Sequence, residues 1–206
     1  MNVDISCELY ARLSAIPLLL NPVDERKYLK SLFIERVSSK LYAVATNVKI
    51  AAIEYLGENE GPDECTAIVI DQALIDQCKR EIAFNGRMSI VANPLLNFTS
   101  IKTTFGFVCP GNAMVQLPEA NNFNNWHTWF PDSIPTKSHG AMFWNASLIH
   151  ALAAASPTGG LRFPQYIDTT QPVVVRDQES EDWAGLFMPV PGENATVEPA
   201  SLPEWL

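Results

Sequence analysis

The chain has 206 residues, enough for one large domain or two small ones around a substantial core. Hydrophobic residues make up 47% and charged residues 18%, a globular composition that excludes disordered and fibrous classes. Net charge is −9, unevenly spread: residues 1–102 carry 11 basic and 13 acidic side chains, residues 103–206 carry 3 and 10, the reverse of an open nucleic-acid-binding surface.

In chain order, three segments follow one pattern. Val3 to Leu13 runs from an apolar strand end through Ser6 into a helix; Val69 to Cys78 does so through Asp71, and Phe143 to Leu152 through Asn145. Ser6, Asp71 and Asn145 suit the helix N-cap, where a side-chain oxygen accepts from an otherwise unpaired N–H of the first turn. Leu9, Leu74 and Leu148 follow their caps by three positions, Tyr10, Ile75 and Ile149 come next, and Leu13, Cys78 and Leu152 lie one turn on. That spacing predicts one apolar stripe along each helix.

Short β-rich runs separated by turn residues follow each helix, as antiparallel strands require. They are Tyr28 to Glu35, Leu41 to Thr46 (after a Ser38-Ser39-Lys40 turn) and Lys49 to Tyr55; Arg87 to Val91, Thr99 to Thr104, Phe105 to Val108 and Met114 to Leu117; and Leu161 to Tyr166, Val173 to Arg176 and Trp183 to Met188. The fold class is α+β, with a β-α-β-β-β unit of roughly 55 residues present three times, a period typical of repeat architectures. Two units form a domain over 1–118 and a third occupies 140–192. The connector between them, 119–139, is rich in Asn and Pro, which favour extended chain. Its Phe123, Trp126, Trp129 and Phe130 are too many for a free linker and predict packing across a domain surface. The tail, 193–206, reads as irregular.

No apolar run approaches the roughly 20 residues needed to span a bilayer, and Met1-Asn2-Val3-Asp4 lacks the basic start of a signal peptide. The expectation is a soluble, cytoplasmic protein. Cys7, Cys65, Cys78 and Cys109 form no C-x-x-C pair and read as thiols in a reducing compartment.

A repeated β-α-β-β-β unit is the building block of DNA sliding clamps. Tyr28-Leu29-Lys30-Ser31-Leu32-Phe33-Ile34-Glu35 and Leu41-Tyr42-Ala43-Val44-Ala45-Thr46-Asn47-Val48-Lys49-Ile50-Ala51 resemble the middle domain of the bacterial clamp, the β subunit of DNA polymerase III. That family has strands near Tyr-Leu-Asn-Gly and Val-Ala-Thr-Asp-Gly-His-Arg-Leu-Ala. Leu186-Phe187-Met188-Pro189-Val190 is similar to its closing Val-Met-Pro-Met strand, and Phe130-Pro131-Asp132 falls where it places an interdomain turn. The resemblance runs to about Pro191 and implies the DNA-clamp fold, shortened to the middle domain plus the second half of the last. Asn47-Val48-Lys49-Ile50 replaces Asp-Gly-His-Arg, losing the glycine and the arginine.

Half a domain leaves a sheet edge and a helix flank uncovered, and exposed edges invite pairing. The shortened form therefore implies a homo-oligomer, even-numbered and built through the third unit; two chains would supply six units and four would supply the twelve of a closed ring. The resemblance also implies two working surfaces. A ring lining of helices meets phosphates without reading bases, and here would offer Arg12, Lys79, Arg80 and His150 to duplex DNA; the same charges also fit ordinary solvated helix faces. A groove for short hydrophobic client peptides would use Leu29, Thr46, Lys49 (in place of a histidine) and Pro135, with Thr170 and Pro172 on the adjoining strand and Phe187, Met188, Pro189 and Val190 on the closing one. Such grooves gain affinity by burying a few large side chains. Leu202 and Trp205 of the tail are further candidates to dock there, against an irregular, unattached tail.

No catalytic or metal signature is present: His127, His139 and His150 lack ligand spacing, and Gly159-Gly160 is an isolated turn signal. Glu179 to Asp182 reads as solvated loop charge. The function expected is a non-catalytic processivity or tethering factor without cofactor, whose partners are DNA polymerase or other replication proteins. A clamp mimic that binds replication proteins without encircling DNA, of the kind a compact viral genome encodes, is the alternative. An enzyme or small-molecule binder on an unrelated α+β fold is the third reading.

Overall fold

The computed structural model describes residues 3–19, 27–85, 89–93, 98–103, 106–108, 115–116, 126–131, 142–143, 145–165, 167, 170–188 and 190–191. The elements in order are β1 (Val3–Ser6), α1 (Cys7–Leu13), β2 (Ser31–Val37), β3 (Lys40–Thr46), β4 (Ile50–Glu58), β5 (Glu64–Val69), α2 (Gln72–Asn85), β6 (Ser89–Asn93), β7 (Phe98–Thr103), β8 (Gly106–Val108), β9 (Val115–Gln116), β10 (Met142–Phe143), α3 (Ala146–Ala155), β11 (Leu161–Arg162), β12 (Val173–Asp177), β13 (Trp183–Phe187) and β14 (Val190–Pro191). Short 3-10 turns cover Pro17–Leu19, Lys27–Lys30 and Trp126–Trp129.

The three caps form as their chemistry dictates. Ser6 Oγ accepts from Leu9 N at 3.0 Å, Asp71 Oδ1 from Ala73 N at 2.7 Å, and Asn145 Oδ1 from Ser147 N at 3.0 Å. The Ser38-Ser39 turn closes the β2–β3 hairpin with φ of 50° and 63°, the two positive values that let a two-residue loop follow strand twist. One expectation is corrected. The run from Tyr28 does not begin a strand: residues 27–30 turn in a 3-10 helix and β2 starts at Ser31. That turn puts Leu29 in the interior, 2% exposed.

All sheet pairings are antiparallel. A four-stranded sheet has the order β1-β6-β7-β8, and an eight-stranded sheet β11-β12-β13-β4-β3-β2-β5-β9; β10 pairs with β14. In the first part of the chain, the strand before each helix crosses over. β1 joins the strands that follow α2, with Ile5 opposite Ile90, while β5 joins those that follow α1, with Phe33 opposite Ala67. The large sheet continues from β4 into β13, with Ile50 opposite Phe187 and Ala52 opposite Gly185.

Side chains alternate across a strand, so the sheet has two cores. Leu32, Ile34, Ala43, Ala45, Ala52 and Ile68 meet the helices through Leu9, Tyr10, Leu74, Ile75 and Leu152. Phe33, Val44, Ala51, Ile53, Ala67 and Leu186 point the other way and are covered by Trp126, with Trp129 and Phe130 beside it. The described part of the connector therefore does pack across the sheet, and Trp126 Nε1 donates to the buried Glu35 carboxylate. With both faces covered, β2 is buried from Ser31 to Arg36.

Tyr10 ties the crossed strands together: its hydroxyl donates to Val69 O at 2.9 Å and accepts from Asp71 N at 3.1 Å, and burial pushes its phenol above the ordinary value. Around α3 the hub is Asp177, fully buried. Its carboxylate accepts from Ser156 Oγ, Thr158 N and Oγ1, Glu179 N and Ser180 N. Burial alone would raise its pKa, but these donors outweigh it and hold the carboxyl well below the usual range. Gly185 lets β13 approach α3, since a Cβ there would lie 3.0 Å from Leu152 Cδ2, and 2.7 Å from Trp183 Cη2 and Val175 Cγ2.

Candidate functional site

The β3–β4 turn begins where Thr46 leaves the sheet. Thr46 Oγ1 accepts from Val48 N at 3.2 Å and donates to Ile50 O at 2.9 Å. Asn47 Oδ1 accepts from Lys49 N and Ile50 N at 3.2 and 3.1 Å, folding the loop as an Asx turn. These bonds hold Val48 at φ 77°, a left-handed conformation costly for a β-branched residue. The glycine of the family motif is thus replaced by a valine with a glycine-like backbone. Val48 is 55% exposed.

The end of β13 meets this turn. Met188 N donates to Lys49 O at 3.1 Å, one step past the Phe187–Ile50 pair, and Met188 is 47% exposed. The Phe163 ring stands edge-on to Phe187 with centroids 6.4 Å apart. Asn47 Nδ2 reaches Ile16 O at 3.4 Å, which brings the turn beside the Pro17–Leu19 segment and its exposed Leu18 and Leu19. An apolar rim around a buried floor results.

Of the predicted groove residues, Thr46, Lys49, Phe187 and Met188 converge at this junction. Pro172 adjoins Val173, which pairs with Phe187; Thr170, two residues earlier, is exposed. Leu29 precedes β2 at the same end of the sheet as Thr46, by the Phe33–Val44 register. Thr46, Phe187 and Leu29 are buried and form the floor, while Lys49 and Met188 are exposed. Val190 enters β14 by its backbone. Pro135 and Pro189 lie outside the described residues. Phe163, Leu18 and Leu19 escaped the sequence reading, although three large apolar side chains beside Pro164 and Pro17 are a visible signal of exposed chain.

The helices present a second surface. A cleft of about 470 Å³ is lined by Glu8, Arg12, Lys79, Ile82, Ala153 and Thr158, among others, so Arg12 and Lys79 are brought together. Arg80 and His150 are exposed on α2 and α3, and Arg80 Nε bonds Asp76 O at 3.3 Å. Arg12 differs from the solvated cation expected of a ring lining. Its Nη2 is held by both Glu54 oxygens at 3.0 and 2.7 Å, and Nη1 donates to Ala155 O. Its side chain is 12% exposed. Burial raises the Glu54 pKa and Arg12 opposes that rise. The guanidinium joins α1 to β4 and the end of α3.

The cysteines described are thiols, and burial together with Glu35 pushes Cys65 up to about 12. Among the described residues no cluster of three or more His, Cys, Asp or Glu could hold a metal, and no helix is long and apolar enough to cross a membrane.

No family model and no curated protein matches the sequence. Solved structures do. Over 92% of its length the chain superposes on the DNA polymerase sliding clamp of Pseudomonas aeruginosa with a TM-score of 0.60 at 12% identity, covering 66% of that chain. The DNA polymerase III subunit beta of Borrelia burgdorferi gives 0.60 at 10% identity with 62% of its chain covered. The beta sliding clamp of C. crescentus gives 0.54 at 13% with 65% covered. The chain thus spans a little under two thirds of the length of each of these clamps. At such identities the likeness speaks for architecture, and the protein has the fold of the bacterial DNA sliding clamp.

Proposed function

We propose that this protein is a non-catalytic, clamp-like tethering factor that holds replication proteins, a DNA polymerase foremost, by short hydrophobic segments. In this reading 1–118 forms one clamp domain, 140–192 a half domain joined by 119–139, and an even number of chains assembles around duplex DNA. The junction of Met188 with Lys49 carries the proposal: it sets exposed Val48 and Met188 over a buried floor of Thr46 and Phe187. A polarizable, unbranched Met beside a strained, fixed turn suits a Leu or Phe anchor, because the floor is preformed and the rim adapts.

The test is binding of a fluorescent peptide bearing adjacent Leu and Phe. Met188→Asp should weaken it by about tenfold or more, the cost of placing a charge where an apolar side chain seats. Equal affinity for both proteins would remove the groove from consideration.

The mimic reading is favoured by one specific observation, the engagement of Arg12 with Glu54 on a helix surface already poor in cations. Primer extension separates the two. A tethering factor lengthens the products of its polymerase at low salt, whereas a mimic binds the polymerase and leaves product length unchanged or shorter.

A further inference from the structure

Among the described residues, the strand crossover in the first part of the chain has no counterpart in the last. β5 lies between β2 and β9, and β1 adds to β6. β10 likewise precedes a capped helix and has β14 on one side, as β5 has β9. Its other side has no strand among the described residues. β11, the first strand after α3, ends the eight-stranded sheet, whereas β6 and β2, the first strands after α2 and α1, receive β1 and β5. Among the described residues no strand pairs with the outer edge of β11. Gln178 N donates to Gly160 O at 3.0 Å, next to the Leu161–Asp177 pair. Antiparallel bonds alternate along a ladder, so Leu161 turns its own N–H and C=O outward.

The helices repeat the contrast. Leu9, Tyr10, Leu74 and Ile75 are at most 4% exposed where α1 packs on α2; Leu148 and Ile149, at the same steps of α3, are only half-buried. α1 carries Glu8 and Arg12 and α2 carries Asp76, Lys79, Arg80 and Glu81, while α3 has no Asp, Glu, Lys or Arg. In a chain of net charge −9, this is the helix that a second copy can approach without like-charge repulsion.

We propose that segment 142–191 is completed by the same segment of a second copy, β10 of each chain adding antiparallel to the free edge of β11 of the other while the two α3 flanks pack together. The exchange is reciprocal, so the dimer is isologous and closed at this interface. It extends each eight-stranded sheet by the partner's β10 and β14. This interface deepens the even-numbered assembly proposed above and is independent of the peptide groove, since strand order, helix burial and charge carry it.

Light scattering on the full chain at micromolar concentration should give twice the mass of one chain. Leu161→Pro removes an N–H that the chain's own ladder does not use and should weaken the dimer about tenfold or more, with circular dichroism unchanged. A measurement on the unaltered protein guards against a misfolded variant: the Leu161 amide should be protected from hydrogen exchange at high concentration and exchange freely on dilution. A single-chain mass at high concentration overturns the proposal, as does a dimer in which the Leu161 amide still exchanges freely. Peptide binding is read separately, so a failed groove and a failed interface give different results.

Discussion

Leu9 and Leu148 occupy the same step of the same helical pattern, three residues after a side-chain cap, yet Leu9 is 4% exposed and Leu148 is half-buried. The caps are equally good and the apolar offsets identical. The difference lies in what surrounds each helix. α1 has α2 beside it and two sheets joined by crossed strands; α3 has β4, the end of α1 and the strands that follow it. An amphipathic stripe fixes which side of a helix turns inward, but burial depends on a second surface arriving. Segment 142–191 compensates with polar bonds where the first region uses packing, and Asp177 is where that compensation concentrates.

Removing that hub should have the largest effect. Asp177→Ala leaves Ser156 Oγ and the Thr158, Glu179 and Ser180 amides without their acceptor, at a cost of about 4 kcal/mol, read by urea unfolding. Acid acts through the same group. Its native pKa lies below that of an unfolded aspartate, so its stabilisation is fully present above the unfolded value of about 3.9 and is lost as pH falls through the native one. Glu54, raised in the native state, works in the opposite sense: its contribution is full below its unfolded pKa and declines as pH rises through the native value. The wild type should therefore lose more stability to acid than Asp177→Ala does.

The two leucines provide the next test. Leu9→Ala should cost about 3 kcal/mol from a fully packed core, at any protein concentration. Leu148→Ala should cost about 1 kcal/mol in dilute protein, where its stripe is half wet, and more as concentration rises, because association stabilises only the native form. Equal, concentration-independent costs would erase the distinction between the two regions.

Arg12 is the tie between them, holding Glu54 on β4 and the end of α3 together. Arg12→Met should cost about 2 kcal/mol, since it leaves Glu54 partly buried without its cation. Adding Glu54→Leu should recover most of that loss, the expected behaviour of a desolvated pair replaced by apolar groups. Both are read by thermal unfolding with fixed protein concentration.

How much of this the sequence announced depends on the range of the interaction. Caps at Ser6, Asp71 and Asn145, the Ser38-Ser39 turn and the 3.6-residue stripes act over a few residues, and each is legible. The 3-10 turn at residues 27–30 is not, because Tyr28 and Leu29 have strand propensity and only tertiary packing draws Leu29 inward. Arg12 meets Glu54 across 42 residues and Trp126 meets Glu35 across 91; no local pattern announces either, so Arg12 reads as a solvated cation. The residues proposed for the groove came from family motifs around Thr46 and Met188, whereas Phe163 and Leu18 lie outside any motif, and the prolines beside them signal exposed chain without saying which surface it joins.

The smallest effect falls on the seam between the two regions. Val48 holds a positive φ beside the Lys49–Met188 bond, a conformation that glycine adopts without steric cost. Val48→Gly should stabilise the fold by about 1 kcal/mol, the strain relieved less the entropy that glycine adds to the unfolded chain. The same change strips an exposed side chain from the rim, so binding of the Leu-Phe peptide should weaken while the melting temperature rises. Val48→Ala divides the two contributions: it trims the rim but keeps a Cβ at positive φ, so binding falls with a smaller gain in stability than Val48→Gly gives. If Val48→Gly bound the peptide as well as the wild type, the turn would serve only to hold β4 against β13. The rim would then rest on Met188 with Leu18, Leu19 and Phe163.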